Sequence, residues 1–456
     1  MSPMLKRDDR IVVAVERLAY GGRGVARVNG QVVFIGGAAP GDVVRARVTR
    51  ARRSYAEADA DAIERASADR VTPRCPHFGT CGGCGWQHIA YPAQAAAKEE
   101  FIREALKHLG GISDATVRPI VRATDPWYYR NKMEFSFHPE GTLGLHRRGE
   151  WNRIVPVESC YLQSDTSIAL VRAVRAFARQ SGLPPYDPRT RAGFLRSLVI
   201  REGRATGDRL VGLLTGPGAF PAAQAFIDVV RQTAPDVTGI IRGIVAGASD
   251  GAPITDMELL DGRPFLEDVL AGLRFRIGLD AFFQTNTVQA GAMVEYVVQR
   301  AEPLAGQPAI DLYCGVGTFS LALARAGASV TGIEVVQASI AAARMNADLN
   351  ELGGLTFISG DARVALPAVA APVGTPAVLV LDPPRGGAGG KVMRKIGRTG
   401  ARRVIYVSCN PTTLAPDLRE LLPLGYRLID VQPFDLFPHT YHVEAVAVLD
   451  RQGGTT

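Results

Sequence analysis

The stretch Asp311-Leu-Tyr-Cys-Gly-Val-Gly-Thr-Phe319 decides the fold. It closes an apolar strand, PAIDLY from Pro308, with a Gly-x-Gly turn and opens a helix. Gly315 and Gly317 let the backbone approach a ligand where a Cβ would collide. Downstream, ASVTGIE, LTFISGD, AVLVLD and RRVIYVS read as strands separated by helical stretches, the βαβ signature of a doubly wound parallel sheet. The expected fold class is therefore α/β, with a Rossmann-like unit over residues 276–450.

Gly-x-Gly alone is shared with nicotinamide enzymes. Two features discriminate: the third glycine of the dinucleotide pattern is missing, and acids end the successive strands at Asp311, Glu334, Asp361 and Asp382. Glu334 lies 19 residues after Gly315, where a carboxylate can bridge ribose hydroxyls. Any one of these acids could instead cap a helix. All four together point to S-adenosylmethionine as the ligand.

Strand RRVIYVS delivers Cys409 to the carboxyl edge of the same sheet, next to Asp382-Pro-Pro-Arg385 on the neighbouring strand. A buried structural cysteine is the ordinary reading of a lone strand-end Cys. Beside a methyl donor it acquires a second one. Uracil C5 is a poor nucleophile, but a thiolate adding to C6 makes C5 an enolate carbon able to attack a methyl group, after which a base must take the C5 proton. Glu444, just before the apolar strand AVAVL, is the candidate base; His439 and His442 are rivals. Cys314 reads as packing.

Upstream, residues 5–66 read as short strands broken by GG, NG, GG and PGD turns, an OB-like β-barrel. Arg45 and Arg47 should share one face, with Arg50, Arg52 and Arg53 following. Residues 1–70 hold 13 Lys/Arg against 9 Asp/Glu, a net of +4 out of +7 for the chain, which suits a polyanionic partner. Residues 70–275 read as a central α+β domain of strands KMEFSF, FLRSLVIRE and RLVGLLT with one clear helix, Ala222–Thr233. A helix over 92–109, with Phe101, Ala105, Leu106 and Leu109 on one stripe, stops at Gly-Gly and is free to pack on the catalytic unit. Cys75, Cys81 and Cys84 follow C-x5-C-x2-C, and Cys160 completes a set of four thiols able by number to bind zinc or an iron–sulfur cluster.

The longest uncharged run, Val364–Leu381, is interrupted by Pro367, Pro372, Gly374 and Pro376, which should break it as a helix, so no membrane segment is expected. The start MSPMLKRDDR has no apolar core of a signal peptide, and a cytoplasmic protein is expected. The end, RQGGTT, should fray.

FFQTN, DLYCGVGTF, LDPPR, VSCNP and HVE together resemble the RNA uracil-5-methyltransferase family over essentially the whole chain. The resemblance implies that Gln284, Tyr313, Glu334 and Asp382 contact the methyl donor, with Gly315, Gly317, Thr318 and Asp361 completing the pocket. It makes Cys409 the nucleophile and Glu444 the proton acceptor. Thr318 departs from the Asn carried by several members. The family's cysteine set holds a [4Fe-4S] cluster, which assigns Cys75, Cys81, Cys84 and Cys160 as its ligands. The N-terminal barrel resembles a TRAM domain, implying RNA binding through phosphate contacts. Barrel and cysteines together resemble the branch acting on 23S ribosomal RNA; transfer RNA is the alternative, and a monomer is expected. Two readings of other kinds stay open: RNA cytosine-5 methylation, whose enzymes resemble a different pattern near the Asp-Pro-Pro segment, and a non-catalytic RNA-binding iron–sulfur protein.

Overall fold

The computed structural model describes residues 4–249 and 251–453. Residues 1–3 and 454–456 at the two termini lie outside it, including the last half of the expected frayed end.

Six strands open the chain: β1 (Arg10–Ala14), β2 (Arg17–Leu18), β3 (Gly24–Val28), β4 (Gln31–Gly36), β5 (Val43–Ala51) and β6 (Tyr55–Arg65). They form a curled sheet in the order β1-β5-β6-β4-β3-β2 around Val33, Ile35, Val44 and Val48. Period-two alternation along β5 buries Val44, Ala46 and Val48 and exposes Arg45 and Arg47. These arginines are not free, because Arg45 pairs with Glu64 at 3.0 Å, Arg47 with Asp8 at 3.4 Å and Arg50 with Glu57 at 3.5 Å.

A cysteine-rich loop leads to α1 (Tyr91–Ala105), which widens into one π-type turn, Leu106–Gly110, before Gly111 ends it at φ +68°. The wider turn shifts the stripe: Leu106 is buried as expected, but Leu109 is exposed. Next come β7 (Lys132–Phe137), β8 (Leu143–Arg147), β9 (Glu150–Pro156), α2 (Asp165–Ser181), β10 (Leu195–Glu202), β11 (Arg209–Thr215), α3 (Ala223–Thr233), β12 (Gly239–Ile244) and β13 (Asp256–Gly262). The strands form one sheet, β13-β12-β11-β10-β7-β8-β9. Helix α2 is a second helix where one was expected. Its signals are a Ser164 cap accepting from Ser167 N–H and the buried stripe Val171, Val174, Phe177 and Ala178, which packs against α3.

A hairpin, β14 (Phe265–Leu270) and β15 (Leu273–Gly278), and α4 (Thr287–Ala301) precede the last unit. This consists of β16 (Pro308–Leu312), α5 (Thr318–Arg325), β17 (Ser329–Glu334), α6 (Gln337–Leu349), β18 (Leu355–Ser359), α7 (Ala362–Val373), β19 (Val378–Leu381), α8 (Gly390–Thr399), β20 (Arg403–Ser408), α9 (Pro411–Arg419), β21 (Tyr426–Phe434) and β22 (Glu444–Arg451). The sheet order is β18-β17-β16-β19-β20-β22-β21, parallel except for β22. From β16 the chain first winds outward through β17 and β18, then returns to β19 on the other side. The carboxyl ends of β16 and β19 are thus the switch point where a doubly wound sheet opens a crevice. Helices cover both faces, and α1 joins one of these cores through Ala95, Ile102, Ala105 and Leu106.

The uncharged run is divided between a helix and a strand. Contrary to expectation, Pro367 and Pro372 lie inside α7, which continues to Gly374 at φ +75°. Each proline removes one backbone donor, and burial of Ala362, Leu366 and Val369 offsets that loss. Among the described residues no helix is long and apolar enough to cross a membrane.

Candidate active site

The turn after β16 is built from left-handed residues: Tyr313 at φ +63°, Gly315 at +54° and Gly317 at +91°. A Cβ on Gly317 would stand 2.5 Å from Leu321 Cδ1, whereas one on Gly315 would meet nothing within 4 Å. Gly317 therefore serves close packing of α5, which begins at Thr318, and Gly315 faces open space. Glu334, ending β17, accepts from Gly315 N–H at 3.3 Å and Val336 N–H at 2.9 Å, so its carboxylate sits directly against the glycine turn. A cleft of about 420 Å³ opens here, lined among others by Tyr313, Glu334, Asp361 and Ala388–Val392. Asp361 has both roles considered for it: it lines the cleft and caps α7, accepting from Arg363 N–H at 2.8 Å. Asp311 is fully buried and accepts from Ser320 Oγ at 2.5 Å; burial pushes its carboxyl up to about 7. Cys314 is buried, its sulfur against Gly332, in keeping with a packing role.

Gln284 lies across the crevice and donates to Asp382 Oδ2 at 3.3 Å. Asn131 holds the Gln284 backbone, donating to its carbonyl at 2.8 Å. Asp382 ends β19, and burial, with Asp311 nearby, pushes its carboxyl up to about 7.

Cys409 follows β20 directly, and Glu444 opens the adjoining β22, where Ser408 pairs with Ala445. Asn410 fixes the cysteine's far side, accepting from Thr412 N–H at 3.0 Å and donating to Arg385 O at 3.1 Å. Burial and the nearby carboxyls of Glu444 and Asp382 push the Cys409 thiol up to about 12, against the opposing pull of the Arg385 cation. Burial, then Asp382, holds Glu444 well above the usual carboxylate range. The structure thus brings Cys409, Glu444 and Asp382 into one electrostatic group. The rival histidines have partners of their own, one away from the cysteine and one at the neighbouring arginine. His439 stacks on Trp127 at 3.9 Å between centroids, and burial lowers it to about 4; His442, lowered to about 4 by burial and then by Arg385, meets that arginine's Nη2 at 3.4 Å.

Away from this crevice, Cys75, Cys81, Cys84 and Cys160 line one small cavity with Phe78, Leu145, Val157 and Leu162. Burial, reinforced by the other thiols, pushes Cys84 up to about 12 and Cys160 up to about 11. Among the described residues no three His, Cys, Asp or Glu side chains converge closely enough for a single metal ion. The loop is anchored on both sides: Gly82 N–H donates to His146 O at 2.9 Å, and Gly85 and Trp86 N–H both donate to His439 O at 2.8 and 2.9 Å.

Residues 9–60 match the TRAM domain, and residues 266–365 and 375–452 match the tRNA (uracil-5-)-methyltransferase family. An RNA methyltransferase of Gloeobacter violaceus is 38% identical, covering 98% of each chain, and one of Nitratidesulfovibrio vulgaris is 39% identical, covering 96% of each. The crystal structure of Pyrococcus abyssi tRNA (uracil-54, C5)-methyltransferase in complex with S-adenosyl-L-homocysteine superposes with a TM-score of 0.77 at 27% identity, covering 96% of this chain and 99% of that one. The chain belongs to the RNA uracil-5-methyltransferase family.

This methyltransferase uses S-adenosylmethionine, and several residues that shape its site carry no local sequence signal. Asp417 of α9 accepts from Ala388 N–H at 2.8 Å, Gly389 N–H at 3.1 Å and Tyr406 Oη at 2.7 Å, fixing the loop that lines the cleft beside Glu334. Lys98 and Gln94 of α1 hold the segment before Glu444: Lys98 Nζ donates to Phe437 O at 3.0 Å, and Gln94 Oε1 accepts from His439 N–H at 2.9 Å. Phe282 is 69% exposed two residues before Gln284, beside a buried Phe283.

Proposed function

We propose that the protein transfers a methyl group to C5 of one uridine in 23S ribosomal RNA through a temporary bond between Cys409 and C6 of the ring. The supporting observation is the group formed by Cys409, Glu444 and Asp382 at neighbouring strand ends, on the same sheet edge as the Gly315 turn.

In this reading Tyr313, Gly315, Gly317, Thr318, Glu334 and Asp361 hold the methyl donor on one side of the switch point, and Gln284 and Asp382 close the other. Bound S-adenosylmethionine supplies an electrophilic methyl group. Burial and the carboxyls of Glu444 and Asp382 favour the protonated thiol of Cys409, and Arg385 is the neighbouring charge that favours its thiolate. Once the thiol has lost its proton to solvent, addition of the thiolate to C6 moves the ring electrons to C5 and its conjugated carbonyl oxygen; C5 then bonds the methyl carbon as that carbon's bond to the sulfonium sulfur breaks, and the donor leaves as the neutral thioether. Glu444 takes the remaining C5 proton, the C5=C6 bond re-forms and Cys409 leaves as thiolate. Glu444 accepts only as the carboxylate, and in that form its raised pKa makes it the stronger base toward the C5 proton. The uridine must be unstacked to reach the sulfur.

The four thiols around one apolar cavity suit a [4Fe-4S] cluster. A single zinc ion would draw its ligands to about 2.3 Å from one point, whereas a cluster spreads them around its corners. Cys75, Cys81, Cys84 and Cys160 would hold it, and its role here is to shape the loop rather than to exchange electrons. In the same reading residues 5–66 grip RNA, residues 70–275 carry the cluster, and residues 276–450 perform the chemistry.

One observation favours a second substrate: the Pyrococcus abyssi enzyme, matched over nearly the full chain, acts on transfer RNA at uracil-54. Mapping 5-methyluridine in ribosomal and transfer RNA, with and without the gene, tests both. Loss of one 23S site supports the proposal; loss confined to transfer RNA replaces it with the second reading; no loss of any 5-methyluridine overturns both.

A further inference from the structure

The hydroxyl of Tyr20 is buried and has no partner within 3.5 Å among the described residues; the polar group nearest to serving it is the Arg385 guanidinium, which can only donate to it, so the hydroxyl's own proton has no acceptor. Tyr20 belongs to the turn joining β2 to β3, a piece of the N-terminal sheet that reaches the catalytic unit. Its ring packs edge-on against Phe101 and Tyr441, at 5.8 and 5.5 Å between centroids. The turn is fixed there. Trp86 Nε1 donates to Gly22 O at 3.1 Å, and Gly22 approaches so closely that a Cβ would stand 3.2 Å from Tyr441 Cδ1. Leu18 and Ala39 from the N-terminal sheet share a small core with Trp86, Ile89 and Phe101 beneath it.

Beside this hydroxyl lies the Arg385 guanidinium, whose hydrogen-bonding neighbours are neutral: Tyr441 Oη at 3.3 Å and His442 Nδ1 at 3.4 Å from its Nη2. Both Tyr20 and Arg385 lie within electrostatic reach of Cys409. Among the described residues the cation is therefore held by neutral groups and stands with a hydroxyl whose proton is unaccepted, and Asn410, next to Cys409 in the chain, ties the pair to the nucleophile by donating to Arg385 O at 3.1 Å. A buried polar atom without a partner destabilises a protein and calls for an explanation, and a ligand that satisfies it is one.

We infer that Tyr20 and Arg385 form a two-donor site for an oxygen of the target nucleotide, so that the N-terminal sheet contributes directly to the active site as well as gripping RNA from outside. The inference rests on the reading that Cys409 attacks a uracil ring. The oxygen is either the ring carbonyl that gains charge when the thiolate adds, or a phosphate oxygen of the same nucleotide.

The test is Tyr20→Phe in the full-length enzyme, which removes one oxygen and keeps the packing. Methylation kcat/KM falls roughly tenfold, the effect of losing one hydrogen bond to a charged acceptor. Tm stays level or rises, because the free enzyme loses an unmet polar group, and affinity for S-adenosylmethionine is unchanged. With 5-fluorouridine RNA, slower adduct formation at saturating RNA identifies the carbonyl. Weaker RNA binding with an unchanged saturated rate identifies the phosphate. The double variant with Arg385→Ala loses no more than Arg385→Ala alone, because the two donors serve one acceptor. An unchanged kcat/KM, a drop in Tm, or fully additive losses would each overturn the shared site. A wild-type enzyme that traps no 5-fluorouridine RNA would overturn the underlying reading and this inference with it. A wild type that traps normally, with an equally active Tyr20→Phe, would overturn this inference alone.

Discussion

Lys98 Nζ lies 2.6 Å from Asp435 Oδ1, and both side chains are completely buried. Burial alone would drive the Lys98 ammonium toward its neutral form; Asp435 opposes that. Removing one partner leaves a buried charge alone, at a cost of about 3–5 kcal/mol. Lys98→Met should lower stability by this order in chemical denaturation. Lys98→Met combined with Asp435→Leu should recover most of it, and a double variant no more stable than the single one would refute the pairing argument.

Cys409→Ala should abolish methylation, by at least roughly 10³-fold, while S-adenosylmethionine binding by calorimetry is retained. The wild type should form a covalent adduct with 5-fluorouridine RNA, because fluorine at C5 blocks the last deprotonation. Cys409→Ser with normal turnover would remove the mechanism.

The raised thiol sets the pH behaviour. Since the thiolate is the reactive form and Cys409 is pushed up to about 12, adduct formation should climb steadily with pH through the neutral and mildly alkaline range. Arg385→Ala withdraws the neighbouring cation and should move that limb to still higher pH. A rate independent of pH from 7 to 9 would show that the thiol is activated by other means.

Asp382 carries a stability signature. Its folded pKa, about 7, lies above the ordinary aspartate value of 3.8, so the folded state binds the extra proton and is favoured at low pH. That advantage is full below about pH 4 and is lost as pH rises to about 7. Asp382→Asn should make the stability curve less steep across this window, where Asp311 still titrates, measured by urea denaturation without ligand, and should weaken methylation. An unaltered curve would mean that the carboxyl is better solvated than its position suggests.

Protein isolated without air should be brown and hold about four iron and four sulfide per chain, and Cys84→Ser should bleach it. A colourless, zinc-loaded protein would reject the cluster. Because Leu18 and Ala39 cover Trp86 and Phe101, deleting residues 1–66 would damage the core. Substituting Arg52 and Arg53, both exposed, is the cleaner probe of RNA binding, and each arginine that neutralises a phosphate should lower the salt slope by about one when it is removed.

Most of the catalytic sheet was legible because its strands are short, largely apolar runs, and the Gly-x-Gly turn, the strand-end acids and Cys409 are all local to those runs; the edge strand β21, interrupted by Arg427, Asp430 and Gln432, was not. Helix α2 was harder to read because polar and basic residues interleave its stripe, although its Ser164 cap was visible. Proline inside α7 misled because its cost is local and its compensation, burial on the sheet, is not. Gln94, Lys98 and Tyr20 were unreadable for a different reason: their partners lie hundreds of positions away, and no periodicity links a lysine in a helix to an aspartate 337 residues later.

That separation has a consequence for how the enzyme comes into being. Helix α1 leaves the ribosome long before the segment it clamps has been translated, so its buried lysine must wait without its counter-ion, and contacts of such span are slow to form. The segment leading to Glu444 can lock only when the final stretch emerges. A truncated chain ending before that segment would therefore keep Cys409 but lack Glu444.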